Sequence, residues 1–231
     1  MRFFRLASPF VAVASGRVTF MNPYSWLVNR DRGHADIDAF TIYADGIALV
    51  WLYNRFCGAT IERYAFDYSS VAASVFDDAE ARRCGVYLIG GPEGVAREAA
   101  TVILRRHPAL RIVGTRSGFF VTPSDYQKAL DEASRADLVI AGMGAPAQEK
   151  FIADLWNGGW RGAGYTCGGF LEQIVGTDGD YFPAWSNRLH LRWLFRLYKE
   201  PRRLWKRYLV LYPKFLGLFI ADWLRLRPRG G

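Results

Sequence analysis

Six short runs of aliphatic and aromatic residues recur along this chain, with helix-like runs between them. The strand-like runs fall at residues 17–21, 40–44, 86–89, 110–113, 138–141 and 164–167. The helix-like runs start near residue 23 and then cover 46–55, 93–106, 124–134 and 147–156, with Ser124 as an N-cap. Strands that alternate with helices cannot all be joined by tight hairpins. They form a parallel sheet with crossover helices on both faces, so the expected class is α/β and Rossmann-like.

The last part of the chain breaks this rhythm. It reads as basic, aromatic helices over 187–199, 201–212 and 214–226, punctuated by Pro201 and Pro213. The expected division is a catalytic core at 1–183 and a helical appendage at 184–231. A chain stopped near Asn187 is expected to stay folded. The formal net charge is +8, yet from Arg188 onward twelve Lys or Arg face only Glu200 and Asp222. The basic excess is therefore confined to the appendage. That asymmetry points to an anionic partner: a membrane surface, a phosphate-bearing lipid or a nucleic acid.

The apolar stretch at 215–220 is far short of the roughly 20 residues that span a bilayer. Arg2 and Arg5 before residues 7–15 faintly resemble a signal peptide. The run is short and flows into a strand, so no secretion signal is expected. Cys57, Cys84 and Cys167 form no paired motif, which fits a reducing cytosol. His34, His107 and His190 lack metal-ligand spacing.

Ligands of open parallel sheets bind at the carboxyl ends of strands. Three loops end strands here: 44–46, 90–94 and 142–149. Asp45 suits either a helix N-cap or a carboxylate that takes a proton from an attacking hydroxyl. Gly90, Gly91, Gly142 and Gly144 open helices, where free N–H groups favour phosphate. They also suit a tight turn that carries no ligand. Gly142, Gly144 and Ala147 match a dinucleotide fingerprint, but no acidic residue lies about 20 positions on to hold a ribose. Gln148 and Glu149 fall in the first helical turn, where one contacts a ligand or Glu149 favours the helix dipole. Asp36 with Asp38, and Asp178 with Asp180, are acidic pairs without a convincing strand before them. No metal site is expected.

Taken in order, the segments VTFMNPYSW, YADGIALVW, YLIGGPEGVAREAA, IVGTRSGFF, ADLVIAGMGAPAQEKFI, RLYKEPRRLWKRY and YPKF carry a resemblance. The chain resembles the WecG/TagA/CpsF glycosyltransferases from about Val18 to Phe215. The resemblance implies a Rossmann-like core with a C-terminal appendage. It implies inverting transfer from a UDP-sugar to a polyprenyl-diphosphate-linked sugar, without a cofactor or required metal. It assigns the general base to Asp45, an active-site position to Asn22 and donor binding to Gln148. The chain departs from the family pattern at Phe20, Glu172, Tyr181, Phe182 and Arg192. These departures bear on which donor and acceptor are used.

The expected function is therefore a glycosyltransferase of cell-surface polysaccharide synthesis, peripheral on the cytoplasmic face of the membrane. Its sugar is N-acetylmannosamine, its uronic acid or a hexose. Asp45 acts as base; Gly90, Gly91, Gly142, Gly144 and Gln148 hold the donor. Arg202, Arg203 and Arg207 reach a diphosphate, because guanidinium groups bind phosphate oxygens in pairs. Nucleic acid is not an expected partner, and self-association is left open. Two alternatives compete: a Rossmann oxidoreductase, and a non-enzymatic nucleic-acid-binding protein that uses the basic tail.

Overall fold

The structure is a computed structural model that describes residues 5–32, 37–175 and 205–226. The strands are β1 (Gly16–Met21), β2 (Thr41–Ala44), β3 (Gly85–Gly90), β4 (Arg111–Arg116), β5 (Leu138–Gly142) and β6 (Ala163–Thr166). They form one sheet in the order β2-β1-β6-β5-β3-β4, with every neighbouring pair parallel. The helices are α1 (Pro23–Arg32), α2 (Ile47–Phe56), α3 (Ala72–Ala81), α4 (Val95–Arg106), α5 (Pro123–Ala133), α6 (Ala147–Asn157), α7 (Phe170–Ile174) and α8 (Tyr212–Leu226).

Strand side chains alternate between faces, so a strand buried on both sides feeds two cores. Val86 and Leu88 of β3, with Leu138 and Ile140 of β5, join Phe76, Ile103 and Phe170 on one face. Tyr87 and Ile89, with Val139 and Ala141, join Trp26, Leu49 and Phe151 on the other. β4 and β2 form the sheet edges. Because all strands run the same way, their carboxyl ends lie along one edge.

The expected α/β class and six strands are present. The cap of α5 differs: Thr122, not Ser124, accepts from the Asp125 N–H at 3.1 Å, and Pro123 takes the first helical position. Pro suits that position because its missing N–H has no helical partner there. Helices α3 and α7 lie where no helix was expected.

The appendage also differs from expectation within its described part. Pro213 does not separate two helices. Residues 207–211 form a π turn that runs directly into α8. A proline cannot donate to the preceding turn and its ring crowds a carbonyl there, and a widened turn accommodates both. α8 is not a detached tail. Phe215 and Phe219 belong to the same core as Trp26 and Tyr53, and Phe215 meets the Trp26 ring edge-on at 5.1 Å. Asp222 is buried and pairs with Arg30 at 3.2 Å. A chain stopped near Asn187 would lose these contacts and with them part of the stability of the whole chain. The helices expected at 187–199 and over the first part of 201–212 lie outside the described residues.

Candidate active site

Asp45 leaves the carboxyl end of β2 beside the end of β1, where its N–H donates to the Met21 carbonyl at 2.6 Å. Its side chain does not cap α2. Gly46 holds the cap position with φ of 120°, and no side chain caps that helix end. The Asp45 carboxylate is instead half-buried and accepts from Arg63 Nη2 at 3.0 Å. Arg63 reaches it because residues 63–64 run beside β2, with the Tyr64 N–H donating to the Ala44 carbonyl at 2.9 Å. Asp45 is thus held by Arg63 as a hydrogen-bond acceptor at the rim of the sheet, free of any capping role.

Asn22 lies next to this pair, and a Cβ at Gly46 would sit 3.8 Å from Asn22 Cβ. Asn22 Oδ1 accepts from the Tyr24 and Ser25 N–H groups at 3.0 and 3.1 Å, so it caps α1. The Ser25 hydroxyl in turn accepts from the Asn22 N–H at 2.8 Å. β1 and the cap together fix Asn22 beside Asp45. Phe20 turns away into an aromatic cluster with Phe10, Tyr43 and Phe66. Thr19, one residue earlier, faces the opposite side, as strand alternation requires.

The glycine loops gather at the ends of β3, β5 and β6. Gly90 and Gly142 are register partners, and a Cβ on Gly90 would lie 2.4 Å from the Gly142 carbonyl oxygen. Packing between strands therefore requires glycine there. Gly91 is crowded by Val95, and Gly142 by Cys167. Gly144 differs: its φ is 72° and the space before it is open. The loop after β4 folds over this floor, with the Ser117 hydroxyl and Gly118 N–H both donating to the Gly91 carbonyl.

A buried polar network joins the two halves of the edge. Gln148 Oε1 accepts from the Gly168 N–H at 3.1 Å, and Gln148 Nε2 donates to Glu149 Oε1 at 3.2 Å. Thr19 Oγ1 donates to the same Glu149 oxygen at 2.9 Å, and Thr166 donates to Thr19 at 2.9 Å. Gln148 is buried, so its amide holds the loop after β6. Glu149 is fully buried, not a surface residue of the helix start. Burial pushes its carboxyl above the usual carboxylate range, against the pull of Gln148, Thr19 and Asn29. Burial also lifts the Cys167 thiol to about 12, which removes it as a nucleophile.

Arg202 and Arg203 lie outside the described residues. Arg207 begins the π turn before α8. Asp178, Asp180 and Asp36 are also outside the described residues, and Asp38 is exposed in a short 3-10 turn. His107 meets Asp77 at 3.1 Å, with Glu80 close by. His107 follows α4 and precedes β4, and Asp77 and Glu80 belong to α3 before β3, so the group lies at the amino ends of the strands, opposite the edge that carries Asp45.

The sequence profile of the Glycosyl transferase WecG/TagA/CpsF family matches residues 6–229. A UDP-Gal:alpha-D-GlcNAc-diphosphoundecaprenol beta-1,4-galactosyltransferase of Shigella boydii is 35% identical over 212 residues, covering 90% of this chain and 87% of that protein. An N-acetylglucosaminyldiphosphoundecaprenol N-acetyl-beta-D-mannosaminyltransferase of Bacillus subtilis (strain 168) is 26% identical over 201 residues, covering 86% and 76%.

Proposed function

The chain belongs to the WecG/TagA/CpsF glycosyltransferase family, and from that premise we propose that it transfers a hexose from a UDP-sugar to N-acetylglucosamine on a polyprenyl diphosphate. The Asp45 carboxylate is the observation that carries this reading. It stands at the carboxyl edge of the sheet, is released from helix capping and is oriented by Arg63 at 3.0 Å.

In the proposed reaction Asp45 takes the proton of an acceptor hydroxyl as that oxygen attacks the anomeric carbon. The new carbon–oxygen bond forms as the bond to UDP breaks on the opposite face, so the anomeric configuration inverts. UDP leaves with the electron pair. Charge grows on its diphosphate, where the helix starts after β3 and β5 present backbone N–H groups. Gly90, Gly91 and Gly142 let those loops lie close together, and Gly144 leaves room for the donor. Gln148 acts by holding the Gly168 loop. Asn22 orients the acceptor beside Asp45. Arg202, Arg203 and Arg207 of the basic appendage reach the diphosphates. Residues 1–183 serve as the catalytic core and 184–231 as its membrane-side appendage.

The Shigella boydii relative makes UDP-galactose the first donor to try. A screen of UDP-galactose, UDP-glucose and UDP-N-acetylmannosamine against a short-chain polyprenyl-diphosphate N-acetylglucosamine tests the reading. A disaccharide product from UDP-galactose or UDP-glucose supports it. Absence of transfer from every UDP-hexose contradicts it.

A further inference from the structure

Three side chains of metal-ligand type meet at the end of the sheet remote from Asp45. Asp77 and Glu80 stand three residues apart on α3, a spacing that puts both carboxylates on one face of the helix. His107 follows α4 as its C-terminal cap residue. Its Nδ1 lies 3.1 Å from Asp77 Oδ1. One ligand atom from each of Asp77, Glu80 and His107 falls within 4.8 Å of the other two.

Two of the three are fixed in place. The His107 side chain is buried, with the residue 5% exposed. Its ring stacks on Tyr68 at 6.0 Å between centres and packs against Phe76 at 5.4 Å. Its N–H donates to the Ile103 carbonyl at 2.9 Å, and its carbonyl accepts from the Leu110 N–H at 3.1 Å. Glu80 Oε1 accepts from the Ala109 N–H at 2.6 Å, which turns this carboxylate toward His107. Asp77 is the mobile member, with a side chain 68% exposed.

A plain histidine–aspartate hydrogen bond accounts for one imidazole nitrogen and leaves the rest unexplained. His107 Nε2 is buried without a partner among the described residues, and so is the hydroxyl of Tyr68 on the stacked ring. Buried polar groups nearly always find a partner. Like charges at helical spacing also repel. Two orphaned polar atoms beside two converging carboxylates mark a place that suits a bound cation.

We propose that Asp77, Glu80 and His107 bind a divalent transition-metal ion of the zinc class, which ties α3 to the turn between α4 and β4. An imidazole nitrogen with two carboxylate oxygens is a zinc-type donor set, whereas calcium and magnesium take oxygen ligands. Ligand atoms around tetrahedral zinc stand about 3.3 Å apart at ordinary bond lengths. Rotation of the exposed Asp77 side chain closes the remaining distance, and its open side admits water as the fourth ligand. The role is structural. The group lies at the amino ends of the strands, so the ion takes no part in chemistry at Asp45. It braces the start of β4, an edge strand of the sheet. The ligands come from either side of β3, so no compact motif announces them in the sequence.

The test uses the full chain, stripped of metal with a chelator and dialysed. Calorimetric titration with Zn²⁺ should show one ion bound per chain, and the thermal midpoint should rise with the metal. Asp77→Asn and His107→Gln should each weaken binding roughly 100-fold. Because Asp77 is exposed, metal-free Asp77→Asn should melt with the metal-free unsubstituted protein, which separates lost binding from lost folding. Co²⁺ in place of Zn²⁺ should give visible absorption bands that both variants lose.

Unchanged Zn²⁺ affinity in both variants would overturn the proposal, since the ion would then sit on other residues. So would an unsubstituted protein that binds no Zn²⁺, or one whose Zn²⁺ is displaced by an equal concentration of Mg²⁺. Loss of sugar transfer on stripping, restored by Zn²⁺ in the unsubstituted protein and in Asp77→Asn alike, would place the ion at the catalytic edge instead.

Discussion

Arg63 Nη2 and Asp45 Oδ1 lie 3.0 Å apart at the carboxyl edge of the sheet, brought together from either side of α2. The pair orients the carboxylate that the proposed reaction needs. Replacing Arg63 by Gln should lower kcat by roughly 10²-fold, and Arg63→Lys should restore part of that loss. Steady-state kinetics on the short-chain acceptor measure both. Unchanged kcat in Arg63→Gln would leave Asp45 without its positioning partner.

Asn22 caps α1 and also flanks Asp45, and two substitutions separate these roles. Asn22→Ser keeps a capping oxygen, so the thermal midpoint should hold while kcat/KM falls. Asn22→Ala should lose about 1 kcal/mol of stability as well. If Asn22→Ser turns over normally, Asn22 is a cap alone.

The fold was legible because strand and helix periodicities are local. β3 and β5 announced themselves by runs rich in aliphatic residues, with glycines at their carboxyl ends, while β2 and β6 are short and mix aromatic with small residues. Asp45 stood out because it follows one strand and precedes a helix. Arg63 did not, since its partner is 18 residues away in a stretch with no recognised element. Helix α3 in that same stretch was hidden by its composition. Ala72, Val75, Phe76 and Ala79 have helical spacing, but two alanines carry little apolar weight. The burial of Glu149 was illegible because its partner Thr19, itself bonded by Thr166, comes from a strand far away in the sequence. The place of α8 in the core was obscured by its basic neighbours, which suggested a detached appendage.

Burial raises the folded-state pKa of Glu149 above its value in the unfolded chain. Between those two values the folded protein binds the extra proton. Glu149 therefore contributes stability that is full below the unfolded pKa and is lost as pH rises through the folded one. Glu149→Gln removes the titrating group and keeps the shape. Chemical denaturation across pH should show a flatter stability profile for the variant above about pH 4.5. Parallel profiles would mean that Glu149 does not titrate in this way.

Phe219 is fully buried between Tyr53, Phe56 and Phe215. Phe219→Ala should cost about 3–5 kcal/mol in denaturant unfolding. Removal of residues 188–231 should destabilise the core further. A truncated chain with an unchanged unfolding midpoint would show that α8 contributes no stability.

Helix starts and cationic side chains can together stabilise a leaving diphosphate. Sugar transfer should therefore survive EDTA. Complete loss that Mg²⁺ or Mn²⁺ restores would instead require a cation at the diphosphate.

The central claim is that Asp45 is the base for sugar transfer. Its most direct test is the rate at which the Asp45→Asn protein forms disaccharide on the short-chain acceptor under saturating donor. The amide keeps the side-chain shape, and Gly46 already holds the helix cap, so the fold should be intact by circular dichroism. Turnover should fall roughly 10²–10⁴-fold. A folded Asp45→Asn protein that turns over at nearly the original rate would contradict the account.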